Sequence, residues 1–189
     1  MISITLPDGS IRAFAPGTTP MEVAKNISEG FARNVISASF EGTTIETSTP
    51  LTTDGSLILY TWNDAEGKKA FWHSTSHVMA QVLEEMFPGI QLTLGPAIAN
   101  GFYYDVDFGD QKITEADFKA IESRILEISK EKHEFKMRAV TKAEALETYK
   151  DNVYKTELIS NLEDGTITFC DHATFTDLCR GGHIPNTGI

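Results

Sequence analysis

The chain has 189 residues, of which 41% are hydrophobic and 23% charged, and its formal net charge is −11. This composition is typical of a globular protein and argues against collagen-like, low-complexity and disordered chains. The negative charge argues against a free-standing nucleic-acid-binding protein, which normally carries a basic surface. It is compatible with a module that contacts only one end of an RNA within a longer protein. The two cysteines, Cys170 and Cys179, are too few for a disulfide framework and indicate a cytoplasmic protein.

Several functions are disfavoured because their sequence signals are missing. The sequence has no Walker loop, no G-x-G-x-x-G and no G-x-S-x-G, so nucleotide-dependent chemistry is not expected within these residues. It has neither a signal peptide nor an apolar run of roughly 20 residues, so we expect no membrane partner.

The first 61 residues predict a small ubiquitin-like β-grasp domain. The residues Pro7-Asp8-Gly9-Ser10 predict a turn between two strands, which gives a hairpin. Thr19 and Glu22 predict a capping box at the start of a helix that ends at Gly30. Further strands are predicted at 35–40, 43–46 and 56–61.

The second predicted domain covers residues 64–189, after a polar boundary segment at 63–69. We expect a mixed α/β domain with long helices and an antiparallel sheet, so the whole chain has an α+β fold. The chain ends at Ile189 without a helix cap or a tail, and we therefore expect this domain to be truncated at its C-terminus. The predicted elements are helices over 70–87, from Thr114 and after Thr141, and strands at 102–108, 166–170 and 174–178. The helix from Thr114 has Asp117 in the capping position and an apolar stripe formed by Phe118, Ile121, Ile125 and Ile128.

Two histidines lie four residues apart in the first of these helices. His73 and His77 therefore share one helical face. The large apolar residues of the helix, such as Val78 and Val82, centre on the opposite face. The histidine face, which includes Ala80 and Glu84, is thus expected to meet a cleft, a second layer of the fold or solvent.

A second unit with the same spacing, Cys179-x-x-x-His183, follows about a hundred residues later. Three chemical interpretations are open, besides a chance surface pattern. Three imidazoles and a thiolate form a plausible tetrahedral zinc site. Cys179 is alternatively a nucleophile activated by a histidine. In the third interpretation the imidazoles position a water without a metal, and Asp177 lines the pocket. The spacing alone favours zinc.

These residues resemble the N-terminal TGS and editing domains of bacterial threonyl-tRNA synthetases. The resemblance covers essentially the whole chain. One departure is Gly182, where many relatives are expected to have proline. The matching motifs are Leu6-Pro7-Asp8-Gly9, His73-x-x-x-His77, Gly95-Pro96, Asn100-Gly101-Phe102-Tyr103-Tyr104-Asp105, Tyr154-Lys155 and the segment from Asp177 to Asn186.

The resemblance implies a function that the spacing does not. Such editing domains hydrolyse serine that has been wrongly attached to threonine tRNA, at a site thought to work without zinc. The family therefore reverses the order given by spacing alone. It implies catalytic positions at His73, His77, Lys155, Cys179 and His183, and substrate-binding positions at Tyr104, Asp177, Gly95 and Pro96. His73 would lie nearest the terminal ribose and the attacking water, Lys155 would help to position that water, and Asp177 would bind the substrate amino group.

The same resemblance sets the expected partners and cofactors. The partner is the aminoacylated 3′ end of tRNA(Thr), with no DNA. No cofactor is expected for editing, whereas ATP and zinc are expected only in a catalytic domain outside these residues, so this chain should not aminoacylate tRNA. The full-length enzyme is expected to be a homodimer and this chain a monomer. The alternatives are a zinc-dependent deacylase of the alanyl type, with His73, His77, Cys179 and His183 as ligands, and a non-catalytic RNA-binding or regulatory module.

Overall fold

The structure is a computed structural model that describes residues 1–189. The chain divides into two compact units. Residues 1–71 and 182–185 form the first unit, and residues 72–181 and 186–189 form the second. None of the helices combines the length and the apolar character needed to cross a membrane.

The first unit is built on a five-stranded sheet with two helices. Its elements are β1 (Ile2–Thr5), β2 (Ile11–Phe14), α1 (Pro20–Ile27), α2 (Glu29–Ala32), β3 (Val35–Phe40), β4 (Thr43–Ile45) and β5 (Gly55–Thr61). The strand order is β2-β1-β5-β3-β4. β1 pairs antiparallel with β2 and parallel with β5, and the remaining pairs are antiparallel. The predicted hairpin and the predicted ubiquitin-like fold are therefore confirmed.

Helix α1 begins where the capping box predicts. The Thr19 N–H donates to the Glu22 carboxylate at 2.8 Å, and the Glu22 N–H donates to the Thr19 hydroxyl at 3.2 Å. The predicted end at Gly30 is wrong. Ser28 interrupts the helix because its hydroxyl accepts the Phe31 N–H at 3.0 Å and thereby caps α2, which contains Gly30.

The core of this unit is apolar. Val23 of α1 packs among residues of three strands, and its buried neighbours include Ile4, Ala38 and Leu57. Burial of such side chains stabilises the fold by roughly 25 cal/mol per Å² of apolar surface.

Helix α3 spans Ala65–Met86, so it begins five residues before the predicted start. The segment 63–69, predicted as the polar boundary between the two domains, forms most of its first two turns. Gly67 permits this start, because a Cβ at that position would lie 2.0 Å from the Thr61 carbonyl oxygen. Glycine is therefore required at this position because the helix backbone passes close to the backbone of Thr61.

The second unit adds three helices and seven short strands. They are β6 (Gln91–Leu92), β7 (Ala97–Ile98), β8 (Gly101–Phe102), β9 (Val106–Asp107), α4 (Glu115–Glu131), β10 (Lys136–Ala139), α5 (Lys142–Thr148), α6 (Val153–Ser160), β11 (Thr168–His172) and β12 (Phe175–Leu178). β10, β11 and β12 form an antiparallel sheet in that order, which confirms the expected antiparallel sheet. β11 and β12 pair as predicted, with Phe169 opposite Leu178.

The single strand predicted over 102–108 is wrong. Phe102 pairs with Ala97 in a hairpin of β7 and β8, whereas Val106 pairs with Leu92 in a separate antiparallel pair of β6 and β9. The alternation of apolar and polar residues reports burial on one side, which two short strands satisfy as well as one long strand. Residue 104 lies in the break between them.

Helix α4 begins with the predicted capping box of Thr114 and Asp117, whose contacts measure 2.8 Å. The predicted apolar stripe is only partly buried. Ile121 and Ile128 lie in the interior, whereas Phe118 near the start of the helix is 50% exposed.

Candidate active site

Helix α3 places the two histidines side by side, one turn apart. The ring centroids of His73 and His77 are 4.7 Å apart. His77 is buried, whereas His73 keeps part of its surface exposed. Ala80, on the same face, packs against Leu92 and Phe175. Of the three settings expected for this face, Ala80 thus meets a second layer of the fold, whereas Glu84 is exposed and lines a cavity.

Cys179 follows the last strand of the antiparallel sheet. Its thiol sulfur lies 3.1 Å from Nε2 of His73 and accepts the Gly181 N–H at 3.3 Å. Its backbone is anchored at both ends by Thr168, whose carbonyl accepts the Cys179 N–H and whose hydroxyl donates to the Cys179 carbonyl. The strand thus brings the predicted thiol against the predicted imidazole.

Asp177, two residues earlier on β12, is the centre of a buried polar network. One carboxylate oxygen lies 2.9 Å from Nδ1 of His77 and accepts the Tyr104 hydroxyl at 2.5 Å. The other accepts from the ammonium group of Lys155. Asp177 is 2% exposed and Lys155 is 1% exposed. An ion pair so completely removed from water is costly unless each charge is compensated.

The protonation states of the network follow from this geometry. Burial alone would raise the pKa of Asp177, but the Lys155 ammonium and the hydrogen bond from His77 hold the pKa well below its usual range. Burial alone would lower the pKa of His77, but the bond to Asp177 and the contact with Cys179 raise it above the ordinary value. Burial and the Asp177 charge raise the pKa of Tyr104 well above its ordinary value. Asp177 is thus ionised and Tyr104 is a neutral donor.

Lys155 comes from α6, a helix that the sequence analysis did not predict. Asn152 caps it by accepting the Lys155 N–H at 2.9 Å. The ammonium nitrogen lies 6.0 Å from the ring centroid of Tyr104 and 5.6 Å from that of Tyr149. These aromatic faces add to the stabilisation of the buried cation.

Gly95 and Pro96 lie in the segment that supports Tyr104. A Cβ at residue 95 would lie 2.2 Å from the Tyr104 ring, so only glycine fits there. The Gly95 carbonyl accepts the Ser76 hydroxyl of α3 at 2.7 Å, and the Pro96 carbonyl accepts the Tyr103 N–H at 3.4 Å. Both predicted positions therefore shape the surroundings of Tyr104 through backbone contacts.

His183 belongs to the segment 182–185 of the first unit and is fully buried. Its Nδ1 lies 3.0 Å from the carboxylate of Glu46, just after β4. The sequence analysis missed Glu46, because no local pattern links it to a residue 137 positions away.

Three side chains of the second unit could hold a metal ion. The ligand atoms of His73, His77 and Cys179 all lie within 4.8 Å of one another. Two imidazoles and a thiolate are donors that zinc favours. The carboxylate on Nδ1 of His77 is also the arrangement that commonly orients a metal-bound imidazole. The donor set therefore fits zinc chemically.

A cavity of about 260 Å³ adjoins the network. Lys155 and Asp177 form part of its wall, together with Tyr149 and Asn152. Glu84 of α3 also lines it, and burial together with the Asp177 charge raises the pKa of Glu84. The cavity is thus a polar recess with an ionised pair at its wall.

Comparisons with known proteins show which proteins the chain is similar to. Residues 2–61 match the family described as the TGS domain. The chain is 88% identical, over all 189 of its residues, to a threonine–tRNA ligase from Flavobacterium johnsoniae, and 83% identical to one from Flavobacterium psychrophilum. Over its whole length the chain is therefore similar to the N-terminal region of bacterial threonine–tRNA ligases.

A more distant threonine–tRNA ligase, from Parabacteroides distasonis, is 52% identical over 99% of this chain. The chain spans 29% of the length of each of these three curated relatives. The resemblance noted from the motifs is therefore confirmed for the whole chain, with a TGS domain as the first of its parts.

Proposed function

We propose that this chain hydrolyses the ester bond of tRNA(Thr) that carries serine, and spares tRNA(Thr) that carries threonine. The observation that supports this best is the buried network around Asp177, which borders both the His73–Cys179 pair and a polar cavity. Buried charged groups with strongly shifted pKa values are a feature of functional sites.

The selectivity has a physical reason. A site that welcomes threonine rejects serine poorly, because one missing methyl group is worth only about 1–3 kcal/mol. A second site that hydrolyses the smaller product corrects the error. In our proposal this pocket accepts the hydroxymethyl side chain of serine and has no room for the extra methyl of threonine in a reactive pose.

The proposed reaction is attack of water on the ester carbonyl. The water oxygen forms a bond to the carbonyl carbon, the bond to the ribose oxygen breaks, and the ribose oxygen takes up the proton that the water gives up. His73 is partly exposed and lies beside the Cys179 thiol, so it is suited to orient the water and the terminal ribose. Lys155 is the alternative group for positioning the water. Such acid–base assistance typically contributes about 10²–10⁴-fold.

Asp177 is proposed to bind the substrate amino group. Its carboxylate has about four acceptor positions, and three are taken by His77, Tyr104 and Lys155. One position therefore remains for an ammonium group. Cys179 and His183 are proposed as further catalytic residues, a role that rests on the resemblance noted from the sequence.

The test is incubation of the 189-residue chain with seryl-tRNA(Thr) and threonyl-tRNA(Thr), with loss of each ester followed over time. We expect selective loss of the seryl ester. Binding of tRNA with retention of both esters would favour a non-catalytic RNA-binding module, and equal loss of both esters would reject the proposed selectivity.

A zinc-dependent deacylase is the second candidate, favoured by the compact donor set of His73, His77 and Cys179. Bound zinc would supply an activated water, and His183 would be the fourth ligand. Metal analysis of protein purified without chelators separates the two candidates. We expect less than one zinc ion per ten chains; one zinc per chain, with activity lost on chelation and restored by zinc, would favour the metal enzyme.

The relatives' name extends the proposal to the larger protein. We propose that the chain acts within a threonine–tRNA ligase that is cytoplasmic, dimeric and dependent on ATP, and that its partner is the aminoacylated end of tRNA(Thr). Ligation of threonine would then depend on parts of the protein that these residues do not include, where zinc is also expected. The chain alone should leave uncharged tRNA(Thr) uncharged in the presence of threonine and ATP.

A further inference from the structure

Glu46 lies directly after β4, in the TGS domain, and its side chain is turned to the segment 182–185 of the same compact unit. One carboxylate oxygen accepts the Gly182 N–H at 2.9 Å, and the other accepts the His183 N–H at 3.1 Å. The first oxygen also lies 3.0 Å from Nδ1 of the His183 ring. One side chain thus holds two consecutive backbone groups and the imidazole.

This arrangement determines which ring nitrogen of His183 carries the proton. An ionised carboxylate only accepts hydrogen bonds, so Nδ1 must be the donor in the contact with Glu46. In the neutral ring Nε2 is then the nitrogen that carries the lone pair. His77 is held in the same way, since its Nδ1 faces the Asp177 carboxylate at 2.9 Å. Both histidines are therefore prepared to act through Nε2.

We propose that Glu46 of the TGS domain is a positioning residue for editing, which fixes the orientation and the tautomer of His183. The proposal rests on the proposed function, because it gives the TGS domain a role in the hydrolysis assigned to this chain. Loss of partners that orient functional imidazoles typically costs about 10–100-fold in activity at metal sites, and we expect a similar range here.

Gly182 makes the contact possible in this chain. Its φ of +91° is available to glycine but not to proline, whose φ is fixed near −65° and which has no N–H to donate. Many relatives are expected to have proline at this position. The departure from the family pattern therefore coincides with a backbone donor that Glu46 uses.

The experiment compares Glu46→Ala and Glu46→Gln with the wild-type chain. The control is Glu41→Gln, because Glu41 is another glutamate of this domain that accepts a backbone N–H, that of Ser56. Seryl-tRNA(Thr) hydrolysis gives kcat and KM. Long-range proton–nitrogen NMR of the ¹⁵N-labelled chain reports the tautomer of His183, with His183→Gln used to assign its signals.

We expect Glu46→Ala to lower kcat about 10–100-fold with little change in KM, and to shift His183 away from the Nδ1–H tautomer. Glu46→Gln should lose less, since its amide oxygen still accepts backbone N–H groups. If Glu46→Ala fails to fold, the kcat and the His183 tautomer of Glu46→Gln test the proposal instead. Wild-type kcat and an unchanged tautomer in both variants, as in Glu41→Gln, would overturn the proposal. If the wild-type chain does not hydrolyse seryl-tRNA(Thr), the proposed function fails, and an unchanged tautomer would still reject the role of Glu46.

Discussion

Residues 1–71 and residues 72–181 bury polar side chains of different kinds. The buried polar residues of the first region are neutral hydroxyls, namely Ser37, Ser39 and Thr47. The second region also buries an ammonium and a carboxylate, those of Lys155 and Asp177. A buried hydroxyl costs far less free energy than a buried charge. The buried polar groups of the β-grasp region are thus compatible with a role in the fold alone. The buried charges of the second region are too costly to be explained by packing.

The largest expected effect is on the proposed reaction. His73→Ala removes the partly exposed imidazole beside the thiol, and we expect hydrolysis of seryl-tRNA(Thr) to fall about 10²–10⁴-fold. Single-turnover ester hydrolysis measures this, with circular dichroism to verify the fold. Ser37→Ala, in the first region, should leave the rate unchanged. If His73→Ala and Cys179→Ala both hydrolyse at the wild-type rate, the site assignment is wrong.

Asp177→Ala tests the difference between the two regions through its effect on stability. The variant leaves the Lys155 ammonium buried without its counter-charge, and we expect the free energy of unfolding to fall by about 3–5 kcal/mol. Urea unfolding provides the measurement. Ser37→Ala is the control, because the Ser37 hydroxyl has no hydrogen-bond partner and its removal should change stability little. Equal effects of the two substitutions would contradict the distinction between the regions.

Lowering the pH should reduce the free energy of unfolding through the same carboxylate, but by a smaller amount. The pKa of Asp177 in the folded chain lies below its unfolded value of about 3.9, so its contribution to stability is present above that pH and decreases as the pH falls further. His77 is protonated in both states in this range and adds no slope there. Urea unfolding at a series of pH values from 5 to 2 should show a shallower decline for Asp177→Asn than for the wild type. Parallel curves would mean that Asp177 is not held in its ionised form by the fold.

The smallest effect concerns glycines in the two regions. Gly95→Ala would push the Tyr104 ring away from Asp177, and we expect a loss of about 1–3 kcal/mol and slower hydrolysis. In Gly30→Ala of α2 the added Cβ would lie 3.9 Å from its nearest neighbour, so the stability should be unchanged or slightly higher. Thermal unfolding of the two variants makes the comparison. A stable Gly95→Ala chain with normal activity would show that the close fit around Tyr104 is unimportant.

Features fixed by neighbours in sequence could be predicted. The capping boxes of Thr19 and Thr114 involve residues three apart, and both are present. The histidine pair on α3 follows from the helical period. The end of α1 was predicted wrongly because Gly30 was taken as the residue that ends the helix. In the structure Ser28 ends α1 and caps α2.

The partners within the site could not be predicted from local patterns. Lys155 and Asp177 are 22 positions apart, and Tyr104 is 73 positions from the same carboxylate. Lys155 was selected only through the family resemblance, since its helix has no clear apolar face. The role of Gly67 could not be predicted either, because it depends on a close approach to the carbonyl of Thr61 that only the folded chain shows.

The opposite charges of Lys155 and Asp177 bear on how this pocket can be redesigned. Replacing either residue alone leaves the other charge buried without its partner, so single-site libraries at these positions would return mostly destabilised chains. Simultaneous exchange of both for uncharged side chains of similar volume removes the penalty from each. An engineer who wants a recess for a different amino acid should therefore randomise these two codons together.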